Sequence, residues 1–103
     1  MPQLCHAVYF TLKHRTPEAA AKLVASCHEH LTGHPGTVFF AAGPRAAEYD
    51  REVNDRDHDV ALVIVFESPA AHDVYQTAPR HEQFIADNAT DWAKVRVFDS
   101  TLA

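Results

Sequence analysis

Val60-Ala61-Leu62-Val63-Ile64-Val65-Phe66 is an unbroken apolar run of seven residues, four of them β-branched. Its length and composition read as a strand. Side chains alternate across a strand, so this one is apolar on both faces, the pattern of a strand covered on both sides. Upstream, Pro44 to Asp57 is a surface excursion with eight charged residues among its fourteen. That stretch predicts a mobile, solvated loop with a helical turn around Ala46–Tyr49. Downstream, Ser68-Pro69 places a hydroxyl cap before a proline at the first helical position, which starts a helix.

The remaining elements follow outward from this strand. The helix after Ser68 carries Ala71, Val74 and Tyr75. Pro79 restarts the helical pattern, with Phe84 and Ile85 as inward candidates, and Val95 to Ser100 reads as the last strand after Trp92. On the other side, Thr37 to Ala42 is β-rich. Before it, Thr16-Pro17-Glu18 is a second cap-plus-proline start, with an acid near the positive helix end. That helix bears Ala20, Leu23, Val24, Cys27 and Leu31 on one face, and Thr32-Gly33-His34-Pro35-Gly36 ends it. Leu4 to Lys13 is the first strand, with His6, Val8, Phe10 and Leu12 on one face and Cys5, Ala7, Tyr9 and Thr11 on the other.

The order is βαββ(αα)β, an α+β, ferredoxin-like layout of one domain over residues 1–103. Its four-stranded antiparallel sheet carries helices on one face and leaves the other bare. Since the third strand is apolar on both faces, a second copy of the chain is the expected cover, giving a homodimer through the open sheet face.

Composition narrows the function classes. A net charge of −5 and a pI near 5.8 argue against a general nucleic-acid or membrane-surface partner, which needs a basic patch. No run approaches the ~20 apolar residues of a membrane span. The first residues show no leader pattern. Cys5 and Cys27 form no framework, which points to free thiols and a cytoplasmic location. With three glycines and no phosphate loop, nucleotide binding has no support.

Neither a cofactor nor a metal is expected. His28, His30 and His34 sit at the end of the first helix, where cationic histidine suits the helix dipole. The His-x-His pair points its rings about 200° apart, so it does not chelate. Asp55, Asp57, His58 and Asp59 lack a compact ligand spacing and read as a solvated loop end.

One segment stands out for chemistry. Tyr75-Gln76-Thr77-Ala78-Pro79-Arg80-His81 places a phenol and an imidazole at a break between two helical patterns. This segment, His6 in His-Ala-Val-Tyr-Phe-Thr-Leu-Lys, the stretch Asp59–Ser68 and the closing Val95-Arg96-Val97-Phe98-Asp99 together resemble the stress-responsive A/B barrel, or Dabb, family. The resemblance covers nearly the whole chain and implies a dimeric α+β barrel. One plant branch is a polyketide cyclase, in which a histidine and a tyrosine matching His81 and Tyr75 handle protons.

A pocket histidine of that branch matches His6. Another falls at Val60, where this sequence departs from the branch. The resemblance further implies a pocket between sheet and helices, with His6, Val8, Phe10, Leu62, Phe84 and Trp92 contacting the ligand around the catalytic pair His81 and Tyr75. Such a lining suits a small, largely apolar or aromatic molecule. A neutral His81 would serve as general base, Tyr75 would donate to a developing oxyanion, and His6 would orient His81 or bind a polar end of the ligand. For His6 alone the structural role is favoured.

Three readings stay open. The chain is a cofactor-independent cyclase- or isomerase-type enzyme, a non-catalytic stress-related ligand-binding or structural dimer, or a cofactor-free oxygenase or haem-handling protein as in other dimeric α+β barrels. Nothing in the sequence selects the last. The same aromatic residues, closely packed, would also fill a core with no cavity at all.

Overall fold

A computed structural model describes residues 2–103. Four strands, β1 (Gln3–Leu12), β2 (Thr37–Pro44), β3 (Val60–Phe66) and β4 (Trp92–Leu102), form one sheet in the order β2-β3-β1-β4. Every neighbouring pair is antiparallel. Helices α1 (Pro17–Leu31), α2 (Pro69–Gln76) and α3 (Pro79–Asn88) interrupt the strands, and a short 3-10 turn at Ala89–Asp91 leads into β4. This is the βαββ(αα)β order read from the sequence.

Register fixes which side chains share a face. His6, Val8 and Phe10 of β1 lie opposite Ile64, Leu62 and Val60 of β3, and opposite Asp99, Val97 and Val95 of β4. Directly opposed residues point the same way, so these nine residues line the helix-covered face. The core lies there, with Val8, Phe10, Val60, Leu62, Ile64 and Phe66 against Leu23, Cys27 and Leu31 of α1 and Tyr75 and Phe84 of the short helices. Cys27 has no exposed surface, and burial pushes its thiol up to about 12, leaving it inert at neutral pH. On the other face Ala7, Tyr9, Val63 and Val65 are only half-buried, while Phe39 and Phe98 are 53% exposed.

The predicted caps form. Thr16 accepts from the Ala19 amide at 3.1 Å, and Ser68 from the Ala71 amide at 3.2 Å. At the other end of α1, Arg80 donates to the carbonyls of Glu29 and Thr32, both at 2.7 Å. Those carbonyls have no partner within the helix, so the start of α3 is bolted to the end of α1, and His81 is positioned with it. Gly36 adopts φ +83°, and a Cβ there would lie 2.5 Å from that of Ala71. Only glycine lets the turn into β2 pass this close to α2.

The structure corrects four details. β2 runs on through Gly43 and Pro44, because it is an edge strand and a terminal proline there removes no needed ladder bond. β4 begins at Trp92, three residues before the expected start, with an irregular step between Thr11 and Leu12 accommodating it. Ile85 is 41% exposed and lies at the border of the core.

The acidic loop end is paired with cations. Asp55 binds Arg96, Asp57 binds Arg15 and Lys94, and Asp59 binds Arg15 and the Leu12 amide. The Arg96 hydrogen bond holds the Asp55 carboxyl far below the usual range, and Lys94 lowers that of Asp57.

Candidate functional site

Two short helices leave a gap that one long helix would fill. α1 lays four turns of apolar face along the sheet. α2 and α3 instead meet at Thr77-Ala78, where the chain is extended before Pro79. Below this break, on the β4 side, lies a cavity of about 180 Å³. All eight residues expected at the site border it: His6, Val8, Phe10, Leu62, Tyr75, His81, Phe84 and Trp92. Gln76, Ile85, Val95 and Val97 complete the wall. The last three are substantially exposed, so the mouth of the cavity is apolar. Val60 is fully buried and does not reach the cavity.

Tyr75 is the hub. Its ring centroid is 4.6 Å from that of His81, 5.0 Å from His34, 5.0 Å from Phe66 and 5.8 Å from His6. It is 1% exposed, and burial raises its phenol well above the ordinary value of 10.0. The hydroxyl therefore keeps its proton near neutral pH and serves as a donor, not as a base.

His81 is partly buried, and desolvation lowers its pKa, with His6 and His34 adding to the effect. It is therefore neutral near pH 7 and able to accept a proton. Its Nδ1 is buried without a partner, as is Nε1 of Trp92 across the cavity. Buried polar atoms are ordinarily paired, and each exception calls for an account.

His6 is not free to turn. Its Nδ1 lies 2.6 Å from Asp99 Oδ1, and its ring lies 5.0 Å from that of His72, tilted by 56°. Burial lowers the His6 pKa, partly offset by Asp99, so a neutral ring donating from Nδ1 to the carboxylate fits the geometry. The expected contact in which His6 orients His81 is not made directly, because both rings pack on Tyr75.

His72, Asp99 and Gln76 were not identifiable from motif spacing. The visible signal was that Asp99 falls on the helix-facing side of β4, which the period-2 pattern through Val95 and Val97 already implies.

His28, His30 and His34 cluster at the end of α1. His34 is buried and donates from Nε2 to the His30 carbonyl at 2.8 Å. His30 lies 3.3 Å from Glu29 and 3.4 Å from Asp87, and the exposed His28 packs on Phe40. A second hollow of about 170 Å³ lies beyond Trp92, lined partly by Lys22, Leu23 and Asn88. Its buried amide, Asn88, is already bonded to Ser26 and Phe84, and Trp92, whose ring separates the two hollows, lines this one as well.

A four-stranded antiparallel sheet with three helices on one face defines a ferredoxin-like α+β protein. The stress responsive A/B barrel domain matches residues 4–102, and the chain belongs to that family. No curated protein matches the sequence.

Among solved structures, a dimeric ferredoxin-like protein of unknown function from Thermobifida fusca superposes with a TM-score of 0.79 at 19% identity, covering 98% of this chain and 92% of that one. A Dabb family protein from Mesorhizobium loti gives 0.79 at 20% identity, covering 97% and 96%. Hydroxynitrile lyase from Passiflora edulis gives 0.76 at 16% identity, covering 98% and 94%. Among the described residues no helix is long and apolar enough to cross a membrane.

Proposed function

We propose that this chain, acting as a single-domain homodimer in the cytoplasm, binds a small aromatic or otherwise apolar molecule bearing a carbonyl or hydroxyl group beneath α2 and α3, and moves a proton on it. The carrying observation is the pair of unpartnered buried nitrogens, His81 Nδ1 and Trp92 Nε1, on two residues that line a largely apolar cavity beside Tyr75. A ligand that hydrogen-bonds them removes their desolvation cost.

Size limits the ligand. A dry cavity of about 150 Å³ accepts a benzene-sized guest, so about 180 Å³ suits one ring with a short substituent. A multi-ring polyketide would have to protrude through the apolar mouth at Ile85, Val95 and Val97.

In the reaction, neutral His81 takes a proton from an activated C–H or O–H. Tyr75 donates a hydrogen bond to the oxygen on which charge develops. The imidazolium then returns the proton to the product. The hydroxynitrile lyase neighbour supports testing a hydroxynitrile, in which loss of the hydroxyl proton accompanies departure of cyanide and formation of the carbonyl. A second reading, binding without turnover, is favoured by one observation: Val60 stands where the cyclase branch keeps another pocket histidine.

The dimer rests on the half-covered second face of the sheet, with Phe39 and Phe98 exposed, and on neighbours described as dimeric. The thiols of Cys5 and Cys27 are free, as the reducing cytoplasm favours.

The test combines thermal shift with proton exchange. Phenols, benzaldehyde, acetophenone and mandelonitrile should raise the melting midpoint saturably by mass action. Acetophenone should exchange its methyl hydrogens for deuterium in heavy water, or mandelonitrile should release benzaldehyde. His81→Ala and Tyr75→Phe should remove turnover and leave the fold intact. Binding with no exchange and no cleavage would select the non-catalytic reading. No stabilisation by any of the four would overturn both.

A further inference from the structure

Three metal-ligating side chains from three different elements meet at the edge of the cavity, where His6 forms part of its wall. His6 of β1, His72 of α2 and Asp99 of β4 bring one ligand atom each to within 4.8 Å of the others. Asp99 Oδ1 lies 2.6 Å from His6 Nδ1 and 4.0 Å from His72 Nε2. We propose that His6 Nδ1, His72 Nε2 and Asp99 Oδ1 bind one divalent transition-metal ion, with zinc as the reference ion. The site stands independently of any ligand in the neighbouring cavity.

The three ligand atoms must draw together to hold one ion. Bonds of ~2.0–2.2 Å in tetrahedral geometry place neighbouring ligand atoms roughly 3.3 Å apart. Asp99 lies too close to His6 and too far from His72 for that figure, and the cluster spans up to 4.8 Å, so Asp99 must shift by ~1 Å and the His72 ring must swing toward His6 by roughly 1.5 Å. The Asp99 carboxylate is 41% exposed, which leaves room for that shift.

The surroundings of His72 are those of a ligand. Its Nδ1 lies 3.2 Å from Asp73 Oδ1, which holds the proton on Nδ1 and leaves the Nε2 lone pair facing the cluster. A carboxylate behind a metal-bound imidazole fixes its tautomer and raises its basicity. The Gln76 amide is 3.0 Å from the same Nε2, and its nitrogen satisfies that lone pair when no ion is bound. Turned over, the amide presents its oxygen as a fourth ligand.

The donor set selects the class of ion. Two imidazoles and a carboxylate suit zinc, iron, cobalt or nickel, whereas magnesium and calcium prefer all-oxygen shells. Nδ1 of His6 donates to Asp99 in the metal-free chain, so binding there moves the ring proton to Nε2. An ion on Nδ1 leaves Nε2 of His6 as a fixed donor beside Tyr75. The His6–Asp99 hydrogen bond alone would also order these residues, so binding itself must be measured.

The full chain, stripped of metal with a chelator, is titrated with zinc chloride against a competing chromophoric chelator. It is then titrated with cobalt chloride by visible absorption. One zinc per chain should bind, magnesium should not compete, and cobalt should show the intense bands of a tetrahedral site. His72→Ala and Asp99→Asn should each weaken zinc binding at least tenfold and remove the cobalt bands, while melting normally in the chelator. His30→Ala, which alters the other histidine–carboxylate cluster, should change neither. Zinc binding below one per chain in the parent protein would overturn the site. Unchanged binding in His72→Ala or Asp99→Asn, or a loss confined to His30→Ala, would overturn it equally.

Discussion

The two faces of the sheet are built from the same strands and the same kinds of residue, yet they end in different states. On the helix side, Phe10, Val60, Leu62 and Ile64 are at most 2% exposed. On the other side, Tyr9, Val63 and Val65 are half-covered and Phe98 is 53% exposed. Apolar content does not separate the two faces; what the chain itself can lay over each one does. α1 and the short helices reach one face only. On the other, the β2–β3 loop covers only a margin, where Asp55 and Asp57 tie down Arg96, Lys94 and Arg15. The remaining apolar area is the surface on which the proposed second copy would sit.

The largest effect breaks the comparison from the helix side. Phe10 packs on Phe84 and Trp92, with ring centroids at 6.1 and 4.9 Å. Phe10→Ala should cost ~3–5 kcal/mol of folding stability in urea denaturation, as buried aromatic truncations do. Phe98→Ala, on the other face, should change the stability of the isolated chain by less than ~0.5 kcal/mol while weakening self-association. Equal losses at the two positions, in protein held monomeric by dilution, would erase the distinction between the faces.

Next comes the open face itself. Val63 pairs with Ala7 on β1 and Ala41 on β2, at the centre of that surface. Val63→Lys should weaken a dimer formed there by about 3 kcal/mol, because it buries an unpaired charge. Sedimentation at micromolar concentration reads the result. A dimer as tight as the parent's would place the contact elsewhere.

A smaller effect is spread over pH. Burial lowers the pKa of both His6 and His81 from the ordinary 6.5. Below 6.5 the unfolded chain takes up protons before the folded one does, so stability rises with pH across this window and falls on acidification. The groups around His81 are His6, His34, Tyr75, the Gln76 backbone and Glu82, of which the Gln76 backbone and Glu82 oppose the shift. His6 faces Asp99 and His72, and the carboxylate opposes its shift. Melting midpoints should therefore be level above about pH 7 and decline toward pH 5. His81→Gln should flatten that decline only in part. His58, on the open side, carries a lowered pKa for the same reason and contributes with the same sign.

What was legible in the sequence divides along the same line between local and distant. Alternation in β1, the Thr16 and Ser68 caps and the apolar stripe of α1 depend on residues a few positions apart, and all formed as read. The eight cavity residues came from resemblance, because no local rule tells a lined gap from a filled core. The His6–Asp99 contact joins residues 93 apart. It follows only once the β1–β4 register is known, and one step of slippage would turn Asp99 to the other face. The ion pairs of the β2–β3 loop were hidden for a similar reason. Their partners Arg15, Lys94 and Arg96 lie on other elements, so the loop read as solvated.

The smallest expected effect decides whether the gap on the helix side is a site or a packing fault. Trp92 Nε1 is a buried donor with no acceptor. Trp92→Phe removes that donor, which recovers part of its desolvation cost, and removes ring atoms, which loses contacts with Phe10 and Phe84. The two nearly cancel, so stability should change by no more than ~1 kcal/mol. Affinity for a ligand with a carbonyl oxygen should fall several-fold, whereas that for a purely hydrocarbon ring of the same size should hold or improve. If instead Trp92→Phe destabilises as strongly as Phe10→Ala, and both ligands lose equally, the indole is ordinary core and the missing acceptor was never reserved for a ligand.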